Sequence, residues 1–181
     1  MKKTAGFTLI EMLIVLAILA IIATLTAPAL GLIAEKNTIR SVAESIKSDL
    51  QWTRTEAIKR SKNLTVSYNQ AGGCYGISTA PLTSPITAQC DCPDCDIKTV
   101  SALRDHNNLE FSALTFTETP TSPNFKFMRG TVSEGGHLRI NSQNLQLKVI
   151  VSSLGRIKIC DDSTGLGFKN IYGNCDDPCA T

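Results

Sequence analysis

Three groups of residues in this chain are spaced for chemistry. The first is a single carboxylate, Glu11, set in the apolar run GFTLIEMLIVLAILAIIATLTAPAL that spans Gly6 to Leu30. An acid in hydrocarbon is costly unless it is paired, so Glu11 either has a functional partner or snorkels to a nearby interface. The second is CDCPDC, which carries Cys90, Cys92 and Cys95. The Cys92-x-x-Cys95 spacing suits a pair of metal ligands, a redox dithiol or a disulfide; Cys74 supplies a fourth sulfur, and Asp91, Asp94 and Asp96 add negative charge. The third is Gly155-Arg156-Ile157-Lys158. As a strand, it puts Arg156, Lys158 and Cys160 on one face and Ile157 and Ile159 on the other. Two cations therefore project together on that face; solvated charges on an ordinary strand are the plainer use. Asp161, Asp162, Asp176 and Asp177 crowd the same segment and oppose an anion.

Other residues offer less. His106 and His137 are isolated, with no Ser-His-Asp or Cys-His spacing, and no phosphate-binding glycine loop follows a strand. Surface or structural roles are expected for both, with no catalytic residue, cofactor or metal. Trp52 is expected in a core or an interface.

The elements that must hold these groups follow from pattern. Lys2 and Lys3 precede the apolar run, and Met12 to Ala34 is 23 residues without a charge. As a helix that is roughly 34 Å, enough to cross a bilayer and longer than the core of a cleaved secretory signal. The lysines predict a cytoplasmic N-terminus and an exported remainder. All seven cysteines lie after the run. Export favours disulfides over zinc for the CDCPDC group. The expected bridges join Cys74 to one of Cys90, Cys92 or Cys95, with Cys95 a candidate, and Cys160 to Cys175. The second would close a glycine-rich tail of about 15 residues, a gain of roughly 3 kcal/mol in the chain-entropy model. An odd cysteine remains, free or bonded to another chain.

The formal charge of +2 comes entirely from Lys2 and Lys3; without residues 1–6, 16 cations face 16 acids. Any anion-binding surface must then be local. From Glu35 to Lys62 the apolar positions Ile39, Val42, Ala43, Ile46, Leu50, Ala57 and Ile58 fall mostly in steps of three and four, which predicts an amphipathic helix continuing the first and ended at Asn63. Period-two patterning then predicts strands at Leu64–Tyr68, Cys74–Ser78, Leu109–Phe111, Phe125–Met128, His137–Ile140, Leu145–Val151 and Arg156–Cys160. Thr79–Asp96 and Thr117–Pro123 are expected as loops, rich in proline.

The stretch Lys2 to Pro28, with a basic leader ending in Gly6, then Phe7-Thr8-Leu9-Ile10-Glu11 and a long apolar helix, resembles the class III signal of type IV pilins and type II secretion pseudopilins. The resemblance implies cleavage by a membrane-embedded prepilin peptidase between Gly6 and Phe7, N-methylation of Phe7, and retention of the helix. It also implies pairing of Glu11 with a neighbour's Phe7 ammonium during assembly, although Glu11 can also reach its own Phe7. Pro28 matches a proline at which the family's helix bends, and a tolerated membrane proline is the alternative.

The β-rich half and the Gly155–Lys158 segment look most like the GspH/FimT/FimU branch. The implied fold is α+β and pilin-like: a leader (1–6), the transmembrane or assembly half of a helix (7–34), its amphipathic half (35–62), and a β domain of two small antiparallel sheets with a disulfide-bonded tail (63–181). The implied role is a minor pilin at, or priming, a type IV pilus tip; the alternative is a type II secretion pseudopilin. Partners would be other pilins or pseudopilins, the inner membrane that anchors a periplasmic domain, and double-stranded DNA. For DNA, Arg156, Lys158 and Lys169 are the candidate contacts. The family motif there is Gly-Arg-x-Arg, and Lys158 departs from it, keeping the charge without the bidentate fork.

Overall fold

The computed structural model describes residues 7–175, except 81, 83, 85, 105, 107, 117–122, 134 and 164–166; the side chains of residues 25–29 and 113 are also outside the description. Gly6, Asp176, Asp177 and Cys179 therefore lie outside the described residues, as does the side chain of Pro28. The chain divides into two compact units, Met1–Asn37 and Thr38–Thr181. One helix, α1 (Leu9–Arg60), runs through both.

In the first unit α1 begins on a cap. The Glu11 N–H donates to Thr8 Oγ1 at 3.3 Å, which makes Thr8 the N-cap and Glu11 the third helical residue. Thr8-x-x-Glu11 is also the spacing of a capping box, and a carboxylate is favourable near the positive end of the helix dipole. Leu9, Ile10, Met12 to Leu16, Ile18, Leu19, Ile21 and Ile22 are all exposed, so the helix is apolar around its whole circumference. The crossing stretch expected over residues 12–34 includes residues 25–29; among the described residues no helix is long and apolar enough to cross a membrane.

In the second unit the helix becomes one-sided. Ile39, Val42, Ala43, Ile46, Leu50, Thr53 and Ala57 form a buried stripe. Burying each Ile or Leu contributes about 1.5–3 kcal/mol. Thr53 fits the stripe because its hydroxyl donates to Asp49 O at 2.7 Å within the helix. Ile58, expected on the apolar face, is instead 45% exposed, and Trp52 is 40% exposed and so outside the core.

The stripe is covered by two four-stranded antiparallel sheets that share its core. The first has the order β3 (Lys98–Val100), β2 (Cys74–Ser78), β1 (Leu64–Asn69), β5 (Asn124–Phe125). The second has the order β4 (Glu110–Leu114), β6 (Gly136–Asn141), β7 (Gln146–Val151), β8 (Ile157–Asp161). Alternation in β6 and β7 sends Leu138, Ile140, Leu147, Val149 and Val151 inward. Tyr68, Tyr75, Phe111 and Phe116 form an aromatic cluster, with Tyr68 stacked on Phe116 at 6.0 Å. Asp49 on α1 ties the helix to the first sheet: it accepts from Tyr75 Oη at 2.6 Å and from Lys98 Nζ at 2.8 Å.

Several elements differ from expectation. β3 is new: three residues are too few to show a period, and its place is set by pairing Tyr75 with Val100 and by the Lys98–Asp49 bridge. β5 stops at Phe125, because Lys126 to Gly130 turn back on themselves through Gly130 N–H to Lys126 O at 2.8 Å. Asn63 does more than end the helix, since its Oδ1 accepts the Phe127 N–H at 3.2 Å. A one-turn helix, α2 (Lys169–Tyr172), stands in the tail expected to be loop.

All five residues of β2 are buried, because the loop after it folds onto its outer face. A Cβ added to Gly76 would stand 2.0 Å from Cys95 Sγ. Gly76→Ala should therefore cost about 1–3 kcal/mol through overpacking, or roughly 2–10 °C in the melting temperature of the full chain in detergent. An unchanged melt would show that the loop does not rest on β2. His137, on the outer side of β6, gives a second test. Burial, then Lys148 and Arg139, hold its imidazole below the ordinary range, against an opposing pull from Asp162. The unfolded chain then takes up this proton more readily than the fold. Stability should be level above about pH 6.5 and decline as pH falls from there through the folded value. Melts across that interval should show the decline, and His137→Gln should remove its share.

Candidate functional site

The segment expected to do chemistry near the end of the chain is a turn with an unusual support. Ser152 to Arg156 link β7 to β8. The Gly155 N–H donates to Ser152 O at 2.8 Å, and the Arg156 N–H donates to Ser152 Oγ at 3.1 Å. Gly155 has φ +76°, and a Cβ there would lie 2.0 Å from Gly130 O. Only glycine fits both the backbone and the space. From α1, Arg54 Nε donates to the same Gly130 carbonyl at 3.0 Å. Three segments distant in sequence thus converge on one oxygen.

Beside this junction lies a groove of about 370 Å³, lined by Gln51, Arg54, Leu154, Gly155, Arg156 and Ile157. Two arginines share it, and among the described residues none that line it is an acid. Arg54 was not singled out in the sequence. It sits beside the buried helix stripe like any solvated charge, and only the tertiary fold brings it to Arg156, 102 positions on.

Arg156 lies in the turn and not in β8, so strand alternation does not set its direction. Lys158 is within the strand, aligned with Ile150 and, through β7, with His137 on the outer face of the second sheet. Lys169 belongs to α2, which packs against the other end of β8 through the Cys160–Cys175 bridge and the Asp161–Asn174 pairing. That end is roughly 16 Å from the Arg156 turn along the strand. The fold therefore brings Arg156 close to Lys158 in the chain and leaves Lys169 on a separate element.

The nearby aspartates are engaged inside the protein. Asp161 is fully buried and accepts the backbone N–H groups of Ser163, at 2.9 Å, and Phe168. Asp162 bridges Lys148 Nζ at 2.9 Å and Arg139 at 3.0 Å. Neither stands as an unpaired repulsive charge.

The tail is closed by the Cys160–Cys175 bridge and clasped to α1. The Tyr172 hydroxyl donates to Glu44 Oε1, Arg40 Nε donates to the same oxygen at 3.0 Å, and the Arg40 guanidinium lies 5.9 Å from the Tyr172 ring centre. The hydrogen bonds from Tyr172 and then Arg40 hold the Glu44 carboxyl below its usual range, while burial and Glu44 push Tyr172 up to about 12. In the loop over β2, Cys74 is joined to Cys90 and Cys92 to Cys95. Cys95 therefore pairs within its own C-x-x-C, and Cys90 is the member of the trio that reaches Cys74. Among the described residues no group of three or more His, Cys, Asp or Glu side chains is placed to hold a metal ion. His106 sits in a backbone turn, its N–H donating to Leu103 O at 2.9 Å.

Comparison with known proteins gives two family matches. The prokaryotic N-terminal methylation motif covers residues 1–27, and the family of the type II transport protein GspH covers residues 42–155. Among solved structures, the Pseudomonas aeruginosa type IV minor pilin FimU is similar at 18% identity and a TM-score of 0.51, over 69% of this chain and 90% of that one. The minor pseudopilin EpsH of the Vibrio cholerae type 2 secretion system is similar at 14% identity and a TM-score of 0.47, over 67% and 95%. No curated protein matches. A match over more than half its length, on a helix joined to two antiparallel sheets, means that this chain belongs to the GspH family, the minor pilins and pseudopilins of type IV pili and type II secretion.

Proposed function

We propose that this chain is a minor pilin, assembled at or priming the tip of a type IV pilus, and that its chemistry is association. One observation carries the reading: the first turns of α1, which lie within a methylation motif, expose apolar side chains on every side, with Glu11 in the first turn. A helix apolar all round must be covered by lipid or by other helices. In this reading the inner membrane covers it first, with the β domain in the periplasm. Prepilin peptidase cuts between Gly6 and Phe7, Phe7 is N-methylated, and neighbouring helices then replace lipid.

Glu11 gives that exchange its register. Cleavage leaves an ammonium on Phe7, next to the positive end of the α1 dipole, where it is poorly placed within its own chain. The carboxylate of an adjacent subunit offsets it. A charge left buried without its partner costs about 3–5 kcal/mol, so a misaligned subunit is rejected. The Thr8 cap fixes the first turn that carries Glu11.

The likeness to FimU supports the pilus; the family's description as type II transport supports a secretion pseudopilin as the second reading. DNA capture stays outside this proposal, since Lys169 stands a strand's length from Arg156 and the three implied cations lie on a turn, a strand and a separate helix.

Glu11→Ala should leave cleavage between Gly6 and Phe7 intact by N-terminal sequencing, yet reduce recovery of the subunit in sheared filaments by roughly ten-fold or more. Normal recovery would end the register argument. Deleting the gene should abolish or shorten surface pili while exoprotein release persists. The opposite result would assign the chain to secretion.

A further inference from the structure

We propose that the groove between α1 and the β7–β8 turn takes a carboxylate side chain of another protein subunit, from a segment in which the acid is flanked by bulky apolar residues. Its identification as a neighbouring subunit rests on the assembly reading above; its preference for a carboxylate does not.

The argument starts from charge. Arg54 and Arg156 line one concave space with Gln51, and among the described residues no acid lines it with them. Like charges brought together by a fold are unfavourable until an anion joins them. Glu44, Asp49 and Asp162 do not serve, because they are held by Tyr172 and Arg40, by Tyr75 and Lys98, and by Arg139 and Lys148. Arg54 is pre-organised: its Nε is fixed on Gly130 O, which limits the rotamers to be lost on binding. Gly155 lets the turn close against that carbonyl, and Arg156, the next residue, lines the same groove.

The surroundings select the class of ligand. Leu154, in the groove wall, is 72% exposed, and Met128, in the adjoining turn, is 80% exposed. Phe127 is also exposed, as is Ile58, whose Cδ1 lies 3.1 Å from the position of a Cβ on Gly130. Arginine, methionine and aromatic residues at one patch, with apolar side chains in water, have the composition of a protein interface core. A nucleic-acid surface asks for a track of cations along phosphates and gains nothing from exposed leucine and methionine. A carboxylate fits the planar guanidinium fork, and its apolar neighbours cover Leu154 and Met128.

The test uses the full chain in detergent micelles and a fluorescent peptide of alternating Glu and Leu, read by anisotropy. The comparison probes are the same peptide with every Glu replaced by Gln, and a short DNA duplex. The expected result is binding of the Glu peptide roughly ten-fold or more tighter than the Gln peptide. Arg156→Gln should erase that preference, since its side chain lies in an exposed turn, and Leu154→Ser should weaken both peptides while leaving the preference. Equal binding of the two peptides, indifference to Arg156→Gln, or tighter binding of the duplex that Arg156→Gln abolishes would each overturn the proposal. Glu11→Ala in the same assay separates the two readings: it should bind the peptide as the parent does even where it fails to assemble.

Discussion

The structure depends on how α1 is covered. Its first turns are apolar on every side, and their described side chains are exposed. From Ile39 the apolar residues contract to a single stripe, and the two sheets exist to cover it. The change in pattern changes the solvent the helix requires: hydrocarbon or other helices before, a β core after. The polar ties are placed at the edges of that stripe. Asp49 holds the first sheet through Tyr75 and Lys98, Arg54 holds the turns of both sheets through Gly130, and Glu44 holds the tail through Tyr172. These residues fall within the 11 positions from Glu44 to Arg54, so the helix is both the core's spine and the frame to which the loops are fastened.

The same economy appears in the cysteines. One bridge fastens the loop after β2 to the strand it covers, one tightens that loop internally, and one fastens the tail to β8. A loop carrying three cysteines and several aspartates thereby becomes the outer cover of β2.

Much of this is legible in the sequence where a period repeats long enough. The stripe from Ile39 to Ala57 shows its 3.6-residue step, and β6 and β7 show alternation over six residues each. The methylation motif is local and contiguous, so it reads directly. What escapes is what depends on distant contacts. β3 is three residues long and α2 four, too short for any period, and both are held by partners elsewhere. The Thr8 cap is present as Thr-x-x-Glu but is masked by the question of why an acid sits among leucines. The groove is invisible because Arg54 and Arg156 are each ordinary surface cations until the fold joins them through Gly130.

One feature of the tail limits what the open border of the second sheet can accept. β8 is the last strand of its sheet, with an outer edge that would offer unpaired amides to any extended segment. The returning chain meets that edge at its last residue: the Asp161 N–H donates to Gly173 O, and the Cys175 N–H donates to Asp161 O. Disulfide closure makes this guard covalent. An added strand therefore finds the Asp161 end of that border already occupied, and extension of the sheet there would first require the closed tail to peel away.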